Sequence, residues 1–233
     1  MPVLVNPSRF GSPPPPPSGI TLVSAGTLVA RSGVSTDTFD IPYPSGLAAG
    51  DIIVMWFSDG GTTISPDPQT GWTTEANIQN SSAPDNLWLG WKVSTGSESG
   101  NFTASTNITG TGVAQMLAFR GVDATTPIDV ATKTRNSDGA GTSSTPIPSM
   151  TTTKTGVCLV YAGAQNSTSN TATPPSSPAA FTETADGIGA APAGRSGTMG
   201  YLIWSGSGAT GTVTIGWSGT GRSTGALMAL RPA

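Results

Sequence analysis

The stretch Gly50-Asp-Ile-Ile-Val-Met-Trp-Phe57 returns in altered form 106 positions later as Gly156-Val-Cys-Leu-Val-Tyr-Ala-Gly163. Six apolar residues between turn-formers, rich in β-branched and aromatic side chains, are too few for an ordinary helix and suit a strand buried on both faces. The match extends outward. Ile41-Pro42 faces Ile147-Pro148 at the same offset, and Trp72-Thr-Thr-Glu75-Ala76 faces Phe181-Thr-Glu183-Thr-Ala185 at 109. Asn101 to Ala104 faces Thr212 to Ile215, and Leu117 to Arg120 faces Met228 to Arg231, both at 111. The offset grows only across Gly, Ser and Pro segments, as insertions in surface loops would make it grow.

Two similar halves follow, about 32–121 and 139–232. Within them lie further strand candidates. In Leu87 to Val93, residues Leu87, Leu89, Trp91 and Val93 share the face expected to point inward, while Trp88, Gly90 and Lys92 share the other. Gly112 to Arg120, taken alone, also permits a short helix. Short strands divided by Gly, Pro, Asn and Ser predict an all-β chain, an antiparallel, jelly-roll-like β-sandwich with an internal pseudo-twofold repeat. A pair of separate domains of about 90 residues is the alternative. The sandwich is assigned to residues 20–233.

Residues 1–19 stand apart. Val3-Leu4-Val5, Asn6-Pro7 and Arg9-Phe10 precede Pro13 to Pro17, a stiff spacer of about 15 Å in polyproline geometry. Such an arm cannot fold alone. Val3, Leu4, Val5, Asn6, Pro7, Arg9 and Phe10 are therefore candidate docking residues for another subunit or a neighbouring protein, for instance by adding a strand to a sheet edge. No apolar core of a secretory signal is visible at the N-terminus, and the expected place of synthesis is the cytoplasm.

The succession Gly50-Asp51-Ile-Ile-Val, Gly71-Trp72-Thr73, Trp91-Lys92-Val93, Phe119-Arg120-Gly121-Val122-Asp123, Thr126-Pro127-Ile128-Asp129 and Ala229-Leu230-Arg231-Pro232 resembles a β-sandwich module of tailed-bacteriophage virion proteins and some large bacterial surface proteins. Val5 to Gly11 is similar to leaders found on unrelated phage structural proteins. The resemblance implies a non-enzymatic virion component made in the host cytoplasm: a head decoration (cement) protein on the virion surface attached through its arm, or alternatively a tail or neck adhesin binding host glycans. Its partners would be other virion proteins, and particle symmetry suggests a homo-oligomer, such as a trimer.

The chemistry-bearing residues agree. There is no His and one Cys, which removes the commonest general base and the usual zinc sites. Glu75 and Glu183, in corresponding places after Trp72 and Phe181, are the one carboxylate pair that could hydrolyse a glycoside, and solvated loop polarity is the simpler role. Asp59, Asp67, Asp85, Asp123, Asp129 and Asp138 lack a calcium-loop spacing, so no metal or cofactor is expected. A pI near 4.7 without basic runs argues against nucleic acid, and no apolar run spans a membrane. Trp88, beside Lys92 on the face away from the expected core, is the candidate glycan or interface contact, and packing in a second layer or at a subunit contact is its simpler role, since large aromatics mostly bury.

Overall fold

Ile52 to Phe57 are buried on both faces, as their unbroken apolar run requires. The computed structural model describes residues 19–34, 38–60, 69–79, 86–105, 110–137, 141–188 and 194–233, and their regular structure is all strand. The first half contributes β1 (Thr21–Ala25), β2 (Val29–Val34), β3 (Thr38–Pro42), β4 (Ala49–Asp59), β5 (Thr73–Ile78), β6 (Asn86–Thr95), β7 (Asn101–Ser105) and β8 (Gly110–Arg120). The second contributes β9 (Lys133–Asn136), β10 (Thr142–Ile147), β11 (Thr151–Thr152), β12 (Val157–Gln165), β13 (Ala172–Thr173), β14 (Thr182–Ile188), β15 (Ser196–Trp204), β16 (Gly208–Ala209), β17 (Val213–Gly221) and β18 (Ser223–Leu230). Gly112 to Arg120 lies within β8 and is not helical, because β4 pairs along one side of it and β1 and β2 along the other.

All the pairings are antiparallel. One large sheet runs β5-β6-β4-β8-β1, with β2 also on β8, and the other runs β14-β15-β12-β18-β9. Four strands of the two orders correspond, and so do their registers, while by register β9 holds the place of β2 and the bridge of Ile128 to Leu230 that of β1. Ile52 lies opposite Phe119 and Val93, while Cys158, 106 positions later, lies opposite Leu230 and Ile203. In the small sheets, Ile41 of β3 pairs Phe102 of β7, and Ile147 of β10 pairs Val213 of β17.

Alternation along the central strands sorts their side chains into different cores. Ile52, Val54 and Trp56 of β4 pack with Cys158, Val160, Ala162 and Ala164 of β12, so the two large sheets bury one core between them. Ile53, Met55 and Phe57 point the other way, against Phe39, Ile41 and Ala104 of the β3-β7 sheet. Val157, Leu159 and Tyr161 likewise meet Ile147, Val213, Ile215 and Trp217 of the β10-β17-β13 sheet. The result is four layers, small-large-large-small, with a separate core in each gap. Cys158 packs in the central gap as a fully buried free thiol, and burial pushes its pKa up.

Polar side chains tie the halves together. Gln115 Nε2 donates to the carbonyls of Gly26 and Thr184, at 3.0 Å each, and Thr184 Oγ1 donates back to Gln115 Oε1 at 3.0 Å. Arg195, 1% exposed, donates to Asn166 Oδ1 and the Gly194 carbonyl at 2.9 Å and to the Gly60 carbonyl at 3.4 Å. The connecting segment is no loose tether: Asp123 N–H donates to Arg231 O and Asp129 N–H to Ala229 O, both at 2.9 Å.

Candidate binding surface on the outer sheet of the first half

Among the described residues β3 and β7 form a two-stranded outer sheet, whereas β10 and β17 carry β13 as a third strand, and the first-half counterparts of β13 lie outside the described residues. On β17, Gly216 and Trp217 pair with Thr173 and Ala172 of that added strand. By register, Ser105 of β7 holds the place of Gly216. There the side chain of Gln69 substitutes for a strand: Nε2 donates to Ser105 O at 2.7 Å and Oε1 accepts from Ser105 N–H at 2.9 Å. Since both backbone groups of Ser105 turn away from β3, antiparallel alternation turns those of Thr103 and Asn101 outward as well. The side chains of Asn101 and Thr103 are exposed.

An aromatic cluster lies beside the edge. Trp72 and Phe102 have ring centroids 5.4 Å apart, and Tyr43 meets Phe102 at 6.4 Å. Lys92 Nζ stands 5.5 Å from the Tyr43 ring and 5.9 Å from the Trp72 ring, within cation–π reach, and 3.0 Å from Glu98 Oε1. Burial works against the Glu98 charge. Bonds from Thr95 N–H, the Ser94 hydroxyl and Lys92 more than offset it and hold the carboxyl down to about 2. The positions corresponding to Tyr43, Trp72, Lys92 and Phe102 in the second half are Ser149, Phe181, Leu202 and Val213, so only the first half carries this cluster.

Lys92 thus belongs to this surface, but Trp88 does not. Its ring is fully buried, stacked on Phe57 at 5.4 Å and met edge-on by Trp72 at 6.2 Å. Trp88 packs in a second layer, the simpler of its two readings, because β6 belongs to a sheet covered on both faces, and the glycan contact has no exposed ring to rest on. Val93, expected inside, is 36% exposed near the end of β6. Gln69 and Glu98 were missed by sequence reasoning. Only their loop positions mark them, and neither belongs to a motif.

The docking residues Val3, Leu4, Val5, Asn6, Pro7, Arg9 and Phe10 lie outside the described residues. Description begins at Gly19, whose carbonyl approaches Gly121 closely, and Gly121 O accepts the Ala233 N–H at 3.0 Å.

The carboxylates are engaged structurally. β5 slips register between Thr74 and Ala76, and β14 between Glu183 and Ala185, so Glu75 corresponds to Thr184 and Thr74 to Glu183. The assumed equivalence of Glu75 and Glu183 is therefore corrected. Glu75 accepts from Trp91 Nε1 and Thr132 Oγ1 at 2.9 Å, and Glu183 accepts from Thr198 Oγ1 at 2.8 Å. Asp59 closes β4 and accepts from Asn86, Asp123 folds its own turn through Thr125 and Thr126, and Asp129 holds Thr153. Asp67, Asp85 and Asp138 lie outside the described residues. Among those described, no group of three His, Cys, Asp or Glu could hold a metal. No protein-family model matches the chain, and comparison with curated proteins and with solved structures gives no match.

Proposed function

We propose that this chain is a non-enzymatic structural protein of a tailed-bacteriophage particle, a head decoration protein displayed on the virion surface after synthesis in the host cytoplasm. Its body is two copies of one strand unit set back to back, and residues 1–19 are the docking arm. Its partners are further virion proteins and copies of itself, not nucleic acid or membrane. The observation that carries this reading is the use of the side chains. Glu75, Glu98, Glu183, Asp51, Asp123 and Asp129 all hold backbone turns or neighbouring strands in place, which is what a rigid displayed body needs. The corresponding strand orders of the two large sheets support the duplicated module. The adhesin alternative relied on an outward Trp88, which the fold encloses.

The test is occupancy. Particles assembled without the protein are mixed with the full chain or with a chain beginning at Ser18, then purified and quantified. Binding by the full chain and its loss on truncation are expected. Undiminished occupancy without the arm would sink the docking role, and absence of the chain from particles purified after infection would sink the virion assignment.

A further inference from the structure

We propose that the cluster of Tyr43, Trp72, Lys92 and Phe102 on the outer face of the first half binds a neutral saccharide. This goes beyond the structural reading above and depends neither on the arm nor on the particle. Its first support is where the polar tips point. Trp56 Nε1 and Trp88 Nε1 are enclosed without a partner. Trp72 Nε1 and Tyr43 Oη also have no partner among the described residues, yet neither is enclosed, so both reach solvent. Lys92 stands between the two rings, and Glu98, whose side chain is only 6% exposed, holds its Nζ there at 3.0 Å. The Lys92 side chain stays 20% exposed, and an ammonium has three N–H groups, so donors are left over. Three solvent-reaching donors therefore converge beside rings that Phe102 braces.

The duplicated body supplies the second support, because it acts as an internal control. Ser149, Phe181, Leu202 and Val213 fill the same places in the second half, where Phe181 is buried edge-on against Tyr161. Packing of these layers thus requires no phenol, indole or ammonium here, and their presence in one copy alone points to a ligand. The ligand class follows from the groups. Electron-rich ring faces suit the polarised C–H bonds of a pyranose, while N–H and O–H donors meet its oxygens. Glu98 balances the charge of Lys92, so the site favours a neutral sugar over an anion. A protein partner fits less well. The large exposed apolar side chains among the described residues are Val93, Ile188 and Ile203, and none belongs to the cluster.

Saturation-transfer NMR of the full chain against neutral, amino and uronic-acid oligosaccharides, with calorimetric titration of the best binder, tests the site. Binding of a neutral member is expected, with amide shifts centred on Tyr43, Trp72, Lys92 and Phe102. Trp72→Phe and Lys92→Leu install the residues that the second half carries, and Tyr43→Phe removes one solvent-facing oxygen. Each should weaken binding roughly tenfold or more at an unchanged fold. If either of the first two melts early, Tyr43→Phe carries the test. No binding across the panel, binding confined to the acidic members, parent-like affinity of Tyr43→Phe and Trp72→Phe, or shifts centred elsewhere would each overturn the proposal. Particle occupancy of Trp72→Phe should match the parent. Reduced occupancy would make the cluster a virion contact instead, whereas absence of the chain from particles would remove the virion reading and leave sugar binding untouched.

Discussion

Trp56 fills the space that Gly197 leaves open. A Cβ on Gly197 would come within 2.7 Å of the Trp56 ring and 2.4 Å of Val113, across the gap between the two large sheets. Gly197→Ala should therefore overpack the shared core and cost about 1–3 kcal/mol. Because that core unites the halves, calorimetry should show one transition moving to lower temperature. Two separated transitions in the parent would contradict a shared core.

Trp88→Ala should remove about 3–5 kcal/mol, because it empties a fully enclosed site stacked on Phe57. Urea midpoints of the two proteins check this. A variant as stable as the parent would mean that the ring is not enclosed.

Glu98 predicts an acid limb. Its carboxyl titrates at about 2 in the folded chain against 4.5 for the free group, so the stabilisation is complete above about 4.5 and is lost as pH falls toward 2. Discounted for solvent screening, the contribution is on the order of 1–2 kcal/mol. Glu98→Gln should be less stable than the parent at neutral pH, with the difference vanishing near pH 2. A constant difference between pH 7 and pH 2 would rule out the charge as the source.

Gln69→Glu is a finer probe than Gln69→Ala. The carboxylate can still accept from Ser105 N–H but presents no donor to Ser105 O, so two lone-pair oxygens face each other at a buried site. A loss of roughly 1–3 kcal/mol is expected, with faster amide exchange at Ser105. Unchanged exchange there would show that the side chain does not cover the edge.

The legible and illegible parts of this fold divide on physical lines. Ile52 to Phe57 and Val157 to Ala162 were readable as doubly covered strands because an unbroken apolar run has few other homes, and the offsets of 106 and 111 reappear in the pairing registers. Strand β6 was readable in extent and in its two faces, with Leu87, Leu89 and Trp91 toward the central core and Trp88 away from it, but the outer layer that covers Trp88 was not. Short strands such as β13 and β16, of two residues each, leave no periodic trace. The edge of β7 was hidden for a different reason: a side-chain amide that imitates a backbone has no signature in the order of residues.

The meeting of Gly19 and Ala233 at Gly121 makes the body a nearly closed loop of chain. A short peptide joining residue 233 to residue 19, with the backbone cut instead in the exposed turn at Lys154-Thr155, would reorder the polypeptide and yet retain every layer. The new ends would then lie where β12 begins beside the end of β18, giving the same solid a second pair of termini at which a further segment could be grafted.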